Sequence, residues 1–109
     1  VSAASSPANG RRIAFERVAA AALARAPDIV AALLPDGTRQ GHEWVARNPL
    51  RSDHRPGSFK VNLGTGKWAD FATGDRGGDL VALAALVAGV DQRTAAIRLA
   101  DRLGVDPWL

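Results

Sequence analysis

The sequence predicts a small α+β domain, with a three-stranded antiparallel sheet in the middle of the chain and helices before and after it. Three observations carry this reading. An alanine-rich run from Arg11 to Leu34 combines high helix propensity with an apolar stripe. Ser58 to Leu63 alternates, with Phe59, Val61 and Leu63 on one face and Ser58, Lys60 and Asn62 on the other, and runs straight into Gly64-Thr65-Gly66. Two later helical segments each open on an aspartate and close on a glycine.

In chain order, Val1 to Gly10 is rich in Ser, Ala, Pro, Asn and Gly and is expected to be a flexible tail rather than a signal peptide, because it lacks an apolar stretch. Residues 11–109 form one expected domain: helical over 11–38, sheet over 41–73, helical over 78–104. Arg11 to Ala26 reads as a helix. Pro27 is unfavourable inside a helix but suited to the first turn of a new one, so Asp28 to Leu34 is a short second helix that Pro35 and Gly37 stop. Gly41 to Arg47, with Trp44 and Val45, reads as the first strand, and Asn48 to Pro56 as a loop. Ser58–Leu63 and Lys67–Ala72 are the hairpin strands. Asp79 caps a helix through Ala88, which Gly89 ends, and Asp91 caps a helix from Gln92 to Leu103, which Gly104 ends. Strands joined this tightly must be antiparallel. The expected core is Phe59, Val61, Leu63, Phe71, Leu80, Leu83, Leu86, Ile97 and Leu99.

Apolar residues make up 47% and charged residues 23% of the 109, ordinary globular usage. The absence of cysteine excludes disulfides and thiolate metal sites. No apolar run approaches the ~20 residues of a membrane span, and the expected compartment is the cytoplasm. The chain does not open with Met, as expected of a processed or excised polypeptide. Its formal charge of +3 is unevenly placed: Arg39 to Arg76 holds seven Lys/Arg against four acids, while the flanks nearly cancel. A basic centre between neutral flanks points to a polyanion.

Gly41 to Gly104 resembles the zinc-binding domain of bacterial and phage DNA primases. That family has a strand, a Cys-Pro-x-His knuckle, a Pro-Ser-Phe-x-Val strand, an aromatic strand with Cys-Phe-x-Cys-Gly, Gly-Gly-Asp opening a helix, and a last helix of amphipathic type. The matching pieces here are Asn48-Pro49-Leu50-Arg51, Pro56-Gly57-Ser58-Phe59-Lys60-Val61, Trp68-Ala69-Asp70-Phe71-Ala72-Thr73-Gly74, Gly77-Gly78-Asp79-Leu80 and Ala96 to Val105. The resemblance implies a zinc-ribbon-like sheet and a role in engaging template. It departs at the metal, for the four ligand positions fall on Asn48, Arg51, Asp70 and Thr73. A guanidinium has no free acceptor, and a lone carboxylate with an amide and a hydroxyl is a poor zinc set. The expectation is therefore a metal-free, cofactor-free version, in which Arg51 and Asp70 can pair across the knuckle.

The residues expected to touch nucleic acid are Arg47, Arg51, Arg55, Lys60, Lys67 and Arg76, with Trp68 as a stacking platform. Trp44 and Phe59 lie among them. The alternative for the same positions is a solvated sheet face with its aromatics in the core. His42 and His54 are not at ligand spacing and read as surface residues. Gly74 to Asp79 lacks the Gly-Lys-Ser/Thr of a phosphate loop, and Asp79 would repel a phosphate there. Asp70, Asp75 and Asp79 read as loop acids. No catalytic constellation stands out, so the expected role is a non-catalytic module that binds single-stranded DNA and adjoins other domains of a primase or replisome protein. The other reading is a protein-interaction or structural domain that kept this fold and lost zinc and DNA binding.

Overall fold

The computed structural model describes residues 11–47 and 58–109. The expected tail and the expected loop, including Asn48, Arg51, His54 and Arg55, lie outside the described residues. The fold is α+β, with element order α1 (Phe15–Ala24), α2 (Ala26–Leu33), β1 (Thr38–Gln40), β2 (Glu43–Ala46), β3 (Phe59–Asn62), β4 (Trp68–Asp70), β5 (Arg76–Gly77), α3 (Leu80–Ala88) and α4 (Gln92–Leu103). The strands form one antiparallel sheet in the order β1-β2-β3-β4-β5. The sheet has five strands, where three were expected. The two extra strands are the edges, three and two residues long, and neither is apolar enough to announce itself.

The first helix begins at Phe15, not Arg11, because the preceding residues are held by the end of the chain. Ile13 bridges to Trp108, Ala14 N–H donates to the Pro107 carbonyl at 2.7 Å, and Leu109 N–H donates to the Arg12 carbonyl at 3.0 Å. Arg17 on α1 donates to the carbonyls of Asp106 and Trp108 at 3.0 and 2.8 Å. Arg11 and Arg93 place their guanidinium carbons 4.9 and 5.4 Å from the Trp108 ring centroid. The clasp therefore combines backbone pairing with cation–π contact. Pro27 stands in the first turn of α2, as its missing N–H predicts. The aspartates open the last two helices as expected: Asp79 accepts from Ala82 N–H at 2.8 Å and Asp91 from Thr94 N–H at 2.7 Å. Gly89 and Gly104 close them at φ 68° and 72°, the left-handed region where a Cβ is costly. The chain turns by 107° between α3 and α4. No single helix among the described residues is long and apolar enough to cross a membrane.

Period two assigns the sheet faces. Phe59, Val61, Trp68, Asp70 and Ala46 are buried on the face that meets the helices, and Trp44 lies beside Val61 on the same face. Val18, Ala22, Val30, Leu80, Val81 and Leu83 complete the core from the helical side. Two indoles tie the layers together. Trp44 Nε1 donates to the Leu34 carbonyl at the end of α2, and Trp68 Nε1 to the Asp79 carbonyl at the start of α3, each at 2.9 Å. Each ring lies against a glycine, Gly37 and Gly77 respectively, where a Cβ would fall inside the indole. Three core expectations change. Phe71 is 74% exposed, because β4 buries Trp68 and Asp70 and so turns Phe71 outward. Leu86 and Ile97 are only half-buried at the margin of the helical layer.

Candidate nucleic-acid interface

The sheet face opposite the core is built by the same register. A row of cross-strand partners runs Thr38, Val45, Lys60, Ala69, Arg76 over all five strands. A second row runs Gln40, Glu43, Asn62, and reaches Lys67, whose carbonyl accepts from Asn62 N–H at 2.8 Å. Phe71 N–H donates to the Ser58 carbonyl at 2.9 Å, which extends the β3–β4 pairing one step and fixes Phe71 beside Lys60. Among the described residues no helix covers this face.

Phe71 is the large exposed aromatic of this face, and the Lys60 ammonium lies 5.8 Å from its ring centroid. Glu43, Lys60, Asn62, Lys67, Ala69 and Phe71, with Trp68 between Lys67 and Ala69, line a shallow depression of about 210 Å³. That is below the ~300 Å³ at which drug-sized pockets begin, so the surface suits a strand laid across it better than an enclosed small molecule. Asn62 Oδ1 accepts from Gly64 N–H and Thr65 N–H at 2.8 and 3.1 Å, which ties the hairpin loop, and Gly66 leaves that loop at φ 78°. Lys67 follows immediately and is exposed. The local sequence thus places one cation on the open face and another at its hairpin rim.

The sequence-predicted residues divide. Lys60, Lys67 and Arg76 come together on or beside the open face, and Arg47 is exposed just past the end of β2. Arg51 and Arg55 lie outside the described residues. Trp68 is corrected: it is 6% exposed, stacked on Phe59 at 5.6 Å with a 9° interplanar angle, and hydrogen-bonded through its indole N–H. Such a ring has no face left for a base. Trp44 and Phe59 likewise face the helices. Phe71, not Trp68, is the exposed ring of this face. The signal for it was parity, since Trp68 inward requires Phe71 outward.

Asp70 and Thr73, the described members of the four positions that the resemblance sets against zinc ligands, close the β4–β5 turn. Asp70 is buried and its carboxylate accepts from Ala72 N–H at 2.8 Å. The Thr73 hydroxyl donates to the Asp75 carboxylate at 3.0 Å and accepts from Asp75 N–H at 3.2 Å. Among the described residues no group of three or more His, Cys, Asp or Glu is placed to hold a metal ion. Asp91, which caps α4, titrates below its ordinary value. The Thr94 backbone N–H, and then its hydroxyl, hold the carboxyl below the ordinary aspartate value. That belongs to helix capping and not to the open face. No family model matches the chain, and no curated protein matches it either.

Proposed function

We propose that this chain is a nucleic-acid-binding module of a primase-like DNA replication protein of phage or plasmid type, which engages single-stranded template on its open sheet face and performs no catalysis itself. One observation carries the reading: a phenylalanine 74% exposed on a sheet face that no helix among the described residues covers, with a lysine ammonium over its ring. An exposed aromatic is a stacking platform for unpaired bases, and cations beside it can follow the phosphates. Lys60, Lys67, Arg76 and Arg47 are those cations. The order of the primase-like motifs supports the same role. On this reading, the hydrogen-bonded turn through Asp70 and Thr73 would take the place of the second knuckle.

Fluorescence anisotropy of a labelled oligothymidylate, titrated at low and moderate salt, tests the proposal. Binding should weaken steeply with salt. Lys67→Ala should flatten the salt slope by about 0.7, the single-strand value for one phosphate contact. Lys60→Ala should do the same and also loosen Phe71. Phe71→Ala should cost about 1–3 kcal/mol at unchanged slope. No binding at low salt, or a Lys60→Ala/Lys67→Ala double variant that binds like its parent, would leave the interaction-domain reading in its place.

A further inference from the structure

The open face carries one group that a phosphate track does not need. Glu43 is a half-buried carboxylate in the depression with Lys60, Lys67 and Phe71, and it repels a phosphate backbone. Its register partner is Asn62, so the two side chains stand next to each other on one face, about 5 Å apart at Cβ. Their hydrogen-bonding capacities are complementary and fixed. Ionised Glu43 accepts only. Asn62 has committed Oδ1 to the N–H groups of Gly64 and Thr65, so the atom it has left to offer is the donor Nδ2. The pair therefore presents two acceptor oxygens followed by one donor.

We infer that Glu43 and Asn62 form a base-reading subsite for guanine within the single strand. Guanine has two adjacent donors on its Watson–Crick edge, N1–H and the N2 amine, followed by the O6 acceptor. The carboxylate takes the two donors and Asn62 Nδ2 donates to O6. Cytosine and adenine each offer the carboxylate only one amine, and thymine only one N–H. Bases unstacked from a single strand expose this edge to such readout. Lys67, on the same row, and Lys60 then take the flanking phosphates, and Phe71 stacks a neighbouring base. The inference rests on the single-strand reading and adds sequence preference to it.

The test compares an oligothymidylate with the same strand in which one thymidine is replaced by deoxyguanosine, deoxyinosine, deoxyadenosine or deoxycytidine. Deoxyguanosine should tighten binding about tenfold, within the range of a good bidentate base contact. Deoxyinosine, lacking the N2 amine, should recover only part of that gain. Glu43→Gln should erase the gain of deoxyguanosine over thymidine. Asn62→Asp, which keeps the acceptor that the hairpin loop needs, should also erase it. A parent that binds thymidylate with no gain for guanosine would overturn the inference and leave the single-strand reading standing. So would a Glu43→Gln variant that tightens every strand equally with the gain intact, since the carboxylate would then only repel phosphate. A parent that binds none of the strands would remove both.

Discussion

Gly77 and Gly78 are neighbours in the chain and opposites in their surroundings, and substituting each by alanine tests the way the sheet is fastened to α3. A Cβ at Gly77 would fall inside the Trp68 indole. The ring cannot yield easily, because it is stacked on Phe59 at 5.6 Å and its N–H is committed to the Asp79 carbonyl at 2.9 Å. Overpacking of this kind costs about 1–3 kcal/mol, and displacing the ring also strands a buried N–H at about 1–3 kcal/mol. Gly77→Ala should therefore destabilise by about 3 kcal/mol, a drop in melting temperature on the order of 10–20 °C for a domain of this size. At Gly78 a Cβ meets nothing within 4 Å, and its φ is not in the left-handed region. Gly78→Ala should stay within about 0.5 kcal/mol of the parent. Urea titration at fixed temperature, followed by far-UV circular dichroism and by tryptophan emission, measures both. Equal midpoints for the two variants would refute the placement of Trp68 over Gly77.

Further outcomes follow from the same geometry. Phe59→Ala should cost about 3–5 kcal/mol by urea titration, whereas Phe71→Ala should cost no more than about 0.5 kcal/mol; the reverse order would mean that the faces of β3 and β4 are exchanged. Because Asp91 titrates below its ordinary value when folded, its contribution to stability is present above the unfolded value and is lost as pH falls through the lowered one. Asn caps a helix as well as Asp and does not titrate. Asp91→Asn should accordingly flatten the acid limb of stability, measured as urea midpoints from about pH 6 to about pH 2, and an unchanged limb would count against the cap. A thermal melt should be the same with and without a chelator, and elemental analysis should find no stoichiometric zinc.

Features that depend on a few adjacent residues were legible in the sequence. The Phe59, Val61, Leu63 alternation, the loop before Lys67, and the Asp-to-Gly bounds of α3 and α4 all appear where local chemistry puts them. What stayed hidden depends on partners far along the chain. The edge strands β1 and β5 exist through pairing, not through their own pattern. The shortened start of α1 reflects a bridge from Ile13 to Trp108, and nothing near Ile13 announces that contact. The largest error, Phe71 for Trp68, comes from Asp70. A strand reading Trp-Ala-Asp-Phe invites the aromatic inward and the acid outward, but the Asp70 carboxylate serves the following turn from the buried side. The exchange changes which aromatic is exposed on the open face and leaves Lys60 on that face and Lys67 at its hairpin rim. The pairing of Glu43 with Asn62 is equally silent in the sequence, because it exists only through the β2–β3 register.

The protein contains three tryptophans and no tyrosine, and each indole sits at a different joint of the fold. Trp44 marks the seam between α2 and the sheet, Trp68 the seam between the sheet and α3, and Trp108 the clasp between residues 11–14 and 107–109. Their ultraviolet emission is therefore a built-in map of disassembly, with no labelling required. Variants retaining a single indole would separate the three signals. If the joints part together, the three traces share one midpoint and the domain is a single cooperative unit. If the terminal clasp frays first, the Trp108 trace departs at lower denaturant, and the order in which the layers separate can be read directly from the wavelength of emitted light.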